Sequence, residues 1–389
     1  MQVVDIVLLA LLLIALVTGI ARGLVASLGA ILGFAVGGAA AFWLVPIVND
    51  FIPLPQWRAI AVFVTVVLLL SLGTALGSAL GSALRRGVDE TPAKGIDRLL
   101  GGVVGVVVAG LAVLVTGGTI AATGMPVVAA ALGSSQVMRT LDVVTPPPVD
   151  EALARLRSIV TDDALPQLGE LLGPGSTQIP DVALDDPTLA AAAASVARVS
   201  GVAYACGMSA TGTGFVIADD RVVTNAHVVA GVENPVIELP GKPAVEGRIV
   251  YFDPIDDLAV IAVDDSGVTP LPLAPVQAVG DEGVVQGFPL GGPFTMGAAA
   301  IVSVGTAQVD DIYGETSNPR EIYALAALVQ PGNSGGPLLT MAGEVSGVIF
   351  ARGVDVDDRG YAMTTTELLP VAALAPTLTA PVPTGACTT

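Results

Sequence analysis

The segment Pro331-Gly332-Asn333-Ser334-Gly335-Gly336-Pro337 decides how the rest of the chain is read. Glycines on both sides of one serine permit a tight turn, and such a turn aims the N–H groups of Gly332 and Ser334 at one point. Converging donors beside a hydroxyl suit acyl transfer, so Ser334 is a candidate nucleophile and Gly332 and Ser334 its candidate oxyanion hole. A hydroxyl nucleophile needs a base. The chain has 1 histidine, His227, in Thr224-Asn225-Ala226-His227-Val228-Val229, and an imidazole takes up and returns protons near neutrality. A carboxylate must then hold the ring, and Asp256-Asp257-Leu258-Ala259-Val260 offers two at the head of an apolar run. This chemistry calls for no metal and no cofactor, and none is expected.

Around these segments, from Ser195 onward, short β-type runs alternate with turn residues. Gly214-Phe215-Val216-Ile217, Arg221-Val222-Val223-Thr224, residues 258–263 and Gly283-Val284-Val285-Gln286 are examples. The pattern predicts an all-β barrel domain over residues 195–389.

The first part of the chain obeys a different pattern. Hydrophobic residues make up 53% and charged residues 13% of the 389, with a mean hydropathy of +0.77, on the membrane side of a soluble protein's balance. The excess lies before about residue 125, where runs 6–21, 23–48, 59–84 and 99–123 carry no charged side chain. Each approaches or exceeds the ~20 residues that span a bilayer. Residues 1–125 are therefore expected to form an all-α bundle of four transmembrane helices. Glycine ladders at Gly29/Gly33/Gly37 and Gly73/Gly77/Gly81 have the spacing that lets helix backbones approach closely.

Arg22 lies between the first two runs and Arg85, Arg86, Lys94 and Arg98 between the last two, against Arg58 alone in the middle loop. Basic loops stay cytoplasmic, so both termini, and everything after residue 125, are expected outside. Trp43 and Trp57 flank the outer loop, where aromatic residues favour the interface. Asp5 replaces a basic leader, so the first helix is expected to stay as an anchor. The net charge of −19 offers no surface to a phosphate backbone, which excludes a nucleic-acid partner.

Residues 126–194 read as an extracytoplasmic linker, broken by Pro146-Pro147-Pro148, Asp162-Asp163, Pro174-Gly175 and Asp185-Asp186-Pro187. Val149, Leu153, Leu156 and Val160 recur at helical spacing and predict a short amphipathic helix. Residues 161–187 have the composition of an exposed segment, where self-cleavage is expected. The 2 cysteines, Cys206 and Cys387, are expected to form a disulfide on the oxidising side of the membrane and to pin the tail to the β-domain.

Residues 195–370 resemble trypsin-like serine proteases of the bacterial periplasmic, HtrA-like type. The resemblance rests on Ser195-Val196-Ala197-Arg198-Val199, Gly212-Thr213-Gly214-Phe215-Val216-Ile217, Thr224-Asn225-Ala226-His227, Asp257-Leu258-Ala259 and Gly332-Asn333-Ser334-Gly335-Gly336-Pro337, in that family's order. It implies a chymotrypsin-like double β-barrel and a His227–Asp257–Ser334 triad. Asp257 is preferred to Asp256 because the family's acid directly precedes Ile or Leu and a small residue. It also implies that Leu328 floors the primary specificity pocket, favouring small or apolar side chains.

Two departures limit it. The chain ends soon after the barrel, without room for the PDZ domain of HtrA enzymes, so their cage-like oligomers are not expected. Asn333 replaces the Asp that pairs with a freshly cut N-terminus in pancreatic-type enzymes, so that mode of activation is not expected either.

Residues 1–125 are similar to the colicin V production protein family, through Asp5, Arg22-Gly23-Leu24 and Ile96-Asp97-Arg98-Leu99-Leu100-Gly101. The two halves together resemble the acid-resistance membrane serine proteases of mycobacteria. This implies an actinobacterial plasma-membrane enzyme that acts in acid or oxidative stress on extracytoplasmic protein substrates, cell-wall enzymes among them. Protonating His227 would remove the base, and a nearby Asp257 worsens that loss. An acid response is therefore expected through unmasking or self-cleavage rather than faster chemistry. The rival reading makes the membrane half a transporter or scaffold, with the barrel as a sensor.

Overall fold

A backbone in lipid has no water to bond, so apolar runs of this length close their hydrogen bonds within helices. The computed structural model describes residues 3–51, 55–89, 91–122, 135–146, 148–149, 165–169, 172, 178–203, 208–354 and 358–388. Asp5–Val113 form one unit and Leu114–Thr389, with Met1–Val4, another.

The first unit holds α1 (Val3–Phe51), α2 (Pro55–Asp89) and α3 (Lys94–Ala122). Among the described residues, 3 helices are long and apolar enough to cross a membrane, over Val4–Ala40, Leu68–Arg85 and Lys94–Leu114. Where the sequence suggested separate spans at 6–21 and 23–48, the structure has α1 interrupted at Gly23 (φ 75°, ψ 167°). No loop is needed, because one left-handed glycine breaks the helix. The break frees backbone groups, and two side chains from other helices satisfy them. Arg85 Nη1 donates to the Ala21 and Arg22 carbonyls at 2.7 and 2.5 Å, and Asp97 Oδ1 accepts from Val25 N at 3.0 Å. Arg85 and Asp97 are themselves paired at 3.3 Å.

The predicted glycine ladders face one another: a Cβ on Gly33 would stand 2.1 Å from the Gly73 carbonyl oxygen, and one on Gly77 2.1 Å from that of Gly29. A further close seam, Gly19 against Gly101, escaped the sequence reading. Leu72, Leu76, Leu80 and Leu84 stay more than half exposed on α2, as a lipid-facing stripe should.

The second unit begins with α4 (Gln136–Val144), β1 (Gln167–Leu168) and α5 (Pro187–Ala193). The β-domain continues as β2 (Val196–Ala203), β3 (Met208–Ala218), β4 (Arg221–Thr224), a single turn α6 (Ala226–Val229), β5 (Val236–Glu238), β6 (Val245–Glu246), β7 (Arg248–Asp253) and β8 (Leu258–Ala262). Then come β9 (Glu282–Gly287), β10 (Thr295–Asp310), β11 (Ser317–Ala326), β12 (Pro337–Thr340), β13 (Val345–Gly353), β14 (Arg359–Thr364) and α7 (Thr365–Leu374).

Among the described residues the strands form two 7-stranded sheets. One has the order β6-β5-β2-β3-β4-β8-β7, the other β1-β13-β12-β9-β10-β11-β14, with β13 also pairing β14 so that the second sheet closes on itself. In the first, Gly247 alone separates edge strands β6 and β7, so the chain passes from one edge to the other there. Alternate apolar residues of both sheets meet in a core containing Phe215, Val223, Leu258, Ile322, Phe350 and Tyr361.

The expected linker is partly a component of this domain. Gln167 and Leu168 pair parallel with Arg352 and Gly353, Leu165 is buried, and Val182 and Leu184 pack on the core. On α5, Asp186 caps Thr188 N at 2.7 Å, and Leu189 is 0% exposed. The apolar residues of 165–169 and 178–187 are thus held against the domain, while Gln178, Asp181, Ala183, Asp185 and Pro187 stay exposed. Of the predicted amphipathic helix, Leu153, Leu156 and Val160 lie outside the described residues. After α7 the tail returns to the first sheet, where Leu378 O accepts from Arg221 Nε at 3.0 Å and Val382 N donates to Ile249 O at 2.9 Å.

Candidate active site

α6 is one turn long, and it exists to present a side chain. Asn225 precedes it in extended conformation, and His227 stands within it, with its side chain only 9% exposed. His227 Nδ1 lies 2.8 Å from Asp257 Oδ2 and 3.0 Å from Oδ1, and the backbone N–H of His227 donates to Oδ1 at 2.9 Å. One carboxylate thus fixes both the ring and the turn that carries it. With Nδ1 committed, the proton-accepting edge of the neutral ring is Nε2. That atom is buried and has no hydrogen-bond partner among the described residues.

Asp257, rather than Asp256, faces the imidazole. It is 3% exposed and sits at φ 54°, a conformation costing on the order of 1–3 kcal/mol for a residue with a side chain. Its surroundings impose that conformation. Asn225 Nδ2 donates to the Asp257 carbonyl at 2.8 Å, and Asp253 Oδ1 accepts from Ile255 N and Asp256 N at 2.9 and 3.2 Å. Burial and then the charge of Asp253 push the Asp256 carboxyl above its ordinary value, with Arg320 opposing them.

Ser334 is 3% exposed. Its turn rests on the strand that leads into α6: a Cβ on Gly335 (φ 79°) would lie 2.2 Å from Thr224 Oγ1 and 2.9 Å from Asn225 N. Gly212 lies between Val228 and the Ser334 carbonyl, and Thr213 N donates to that carbonyl at 2.8 Å. The serine turn and the histidine turn are thereby brought together.

The orientation of the donors is set by the carbonyls. The Pro331 carbonyl accepts from Leu290 N at 2.6 Å, and the Asn333 carbonyl from Gly336 N at 2.9 Å. In a trans peptide the next N–H points the opposite way, so the Gly332 and Ser334 N–H groups are turned away from those partners. Neither has an acceptor of its own among the described residues. Gly332 (φ 90°) is required here, since a Cβ would stand 2.4 Å from the Phe288 carbonyl oxygen. Asn333 has a local use, its Oδ1 accepting from Gln330 N at 2.9 Å.

Leu328 is 54% exposed, whereas Ala327 and Val329 are each 1% exposed; alternation along the extended chain turns Leu328 to the opposite side from them. Cys206 lies outside the described residues. Cys387 Sγ would be 2.8 Å from a Cβ on Gly231, beside Ala203.

Several supporting residues had no role in the sequence reading. Thr213 Oγ1 donates to the Gly332 carbonyl at 2.6 Å and accepts from Phe288 N at 3.0 Å. Arg198, paired with Glu238 at 2.6 Å, donates to the Gly291 carbonyl at 3.2 Å, next to the Leu290 that holds Pro331. Thr213 and Asn225 stood inside quoted motifs, but their partners are far away in sequence.

Residues 212–348 match the family model of the trypsin-like peptidase domain and residues 4–146 that of the colicin V production protein. Serine protease Rv3671c of Mycobacterium tuberculosis is 34% identical over 395 residues, covering 99% of this chain and 98% of its own. The chain belongs to the Rv3671c family of serine proteases. The crystal structure of the Rv3671c protease in its active form matches at 38% identity with a TM-score of 0.52, covering 57% of this chain and 100% of that one. The putative serine protease HhoA of Synechocystis sp. is 34% identical over 158 residues, 39% of either chain. This chain joins apolar helices to a β-rich serine protease domain.

Proposed function

We propose that this Rv3671c relative is a membrane-anchored serine endopeptidase in which Ser334 attacks the scissile carbonyl. His227 Nε2 takes the serine proton and passes it to the leaving amine, while Asp257 holds the ring and stabilises the imidazolium. The Gly332 and Ser334 N–H groups receive the oxyanion. The observation that carries this reading is the doubly held His227–Asp257 pair, whose buried Nε2 has no hydrogen-bond partner among the described residues, on a turn whose Asn225 lies against Gly335 of the serine segment. The two sheets act as the two barrels of a chymotrypsin-like fold, with the site between them.

The break at Gly23 divides α1 into two spans, making four in all. Basic residues at Arg22, Arg85, Arg86, Lys94 and Arg98 keep their loops cytoplasmic, so the protease faces outward. Its substrates are extracytoplasmic proteins, cell-wall enzymes among them, in acid or oxidative stress. Self-cleavage falls within residues 161–187, where Asp181, Ala183 and Asp185 are exposed around the packed Val182 and Leu184. Cys206 and Cys387 form a disulfide, supported by the place of Cys387 beside Ala203 at the end of β2.

A fluorophosphonate probe applied to the full-length chain in membranes tests the reading. It should label Ser334 in the wild type and neither Ser334→Ala nor His227→Ala. Equal labelling of His227→Ala would overturn the proposed base.

A further inference from the structure

The loop that carries Asp257 belongs to the first sheet, yet the second sheet reaches across to hold it. Ile312 N, beyond the end of β10, donates to the Pro254 carbonyl at 3.1 Å. Arg320, on β11, donates through Nη2 to the Ile255 carbonyl. Arg320 is 1% exposed, and its guanidinium lies 5.4 Å from the centroid of the Phe350 ring. Its Nε has no partner among the described residues. A buried cation is costly unless its surroundings compensate it. The compensation consists of one loop carbonyl, one aromatic face and the nearby charge of Asp256.

We propose that Arg320 is a positioning residue for the catalytic acid: by holding the Ile255 carbonyl it keeps Asp257 in its left-handed conformation against His227. The inference rests on the triad reading above. Three features support it. Asp257 occupies a conformation that needs external restraint, at φ 54°. The restraint acts two residues before it, on a carbonyl that would otherwise turn to solvent with the exposed Ile255 side chain. The guanidinium is locked between Phe350 of β13 and the loop, so movement of either sheet transmits to Asp257. Arginine suits the task, because its planar fork stacks on a ring while donating in plane; a lysine ammonium keeps the charge and loses that geometry.

Arg320→Lys keeps the charge and loses the planar fork, so it separates a geometric role from an electrostatic one.

The experiment uses the full-length chain in detergent, with wild type, Arg320→Lys and Arg320→Met compared on a fluorogenic peptide and by melting temperature. The wild type is first labelled with fluorophosphonate. Absence of label on Ser334 would defeat the triad reading rather than this one. With Ser334 labelled, either folded variant should lose on the order of 10- to 100-fold in kcat with KM within about twofold. Arg320→Lys should lose about as much as Arg320→Met, because the fork rather than the charge holds the loop. Wild-type kcat in either folded variant, or a loss carried by KM instead of kcat, would overturn the proposal. Loss of folding in both would overturn it too, since Arg320 would then serve the fold rather than Asp257.

Discussion

Asp257 holds His227 at two points, through the ring nitrogen Nδ1 at 2.8 Å and through the backbone N–H at 2.9 Å. The side chain therefore orients the imidazole and anchors the turn on which it stands. An amide at position 257 could still accept the backbone bond, but its NH₂ would face Nδ1 and enforce the wrong tautomer. Asp257→Asn should lower kcat by about 10⁴-fold with a near-native melting temperature. Steady-state kinetics with parallel thermal melts check this, and activity within tenfold of wild type would exclude Asp257 as the acid.

Thr213 ties the oxyanion turn to the loop before it. Valine has nearly the same shape and no hydroxyl, so Thr213→Val leaves the Phe288 N–H and the Gly332 carbonyl without their partner. The substitution should cost about 1–3 kcal/mol in stability. It should also reduce kcat by on the order of 100-fold, because a small displacement of the donors is amplified in the transition state. Denaturant titration and burst kinetics measure the two effects separately.

The serine turn and His227 could be singled out in the sequence because each is carried by contiguous residues whose chemistry is local, whereas the preference for Asp257, which contacts the imidazole, came from the family resemblance. The glycine ladders were legible because their spacing is also local. The caps of the Gly23 break were not, since Arg85 and Asp97 lie more than sixty residues along the chain. The packing of Leu165, Val182 and Leu184 was not legible, because prolines and acids dominate the composition of the stretch while its few apolar residues make the contacts.

Acid should act on stability with two opposite signs near the site. The Asp256 carboxyl is raised by burial and Asp253, so the fold favours its protonated form. Its contribution is fully present below the ordinary value of 3.8 and is lost as pH rises through the folded value. Asp256→Asn should therefore melt higher than wild type at pH 7 and at the same temperature near pH 3. Asp311 is held down to about 2, first by the Thr316 hydroxyl and then by backbone N–H groups of Glu315, Tyr313 and Thr316, against a smaller opposing effect of burial. Its contribution is present above 3.8 and lost as pH falls through about 2. Asp311→Asn should flatten the fall in melting temperature over that interval.

The tail crosses back to the first sheet through Thr384, whose carbonyl accepts from Gly231 N at 3.1 Å, just before Cys387. A disulfide from there to Cys206 would close a long loop, worth roughly 4–5 kcal/mol in the chain-entropy account. Cys387→Ser should lower the melting temperature under oxidising conditions and abolish its sensitivity to reductant. Unchanged melting in the variant would count against the bond.

The central claim is that Ser334, activated by His227, is a nucleophile presented outside the membrane. A membrane-impermeant fluorophosphonate added to intact cells expressing the full-length chain, combined with peptide mass spectrometry, measures both parts together. The adduct should appear on Ser334 in the wild type and be lost in His227→Ala. An adduct on another residue, or one on Ser334 that forms only after the membrane is opened, would contradict it.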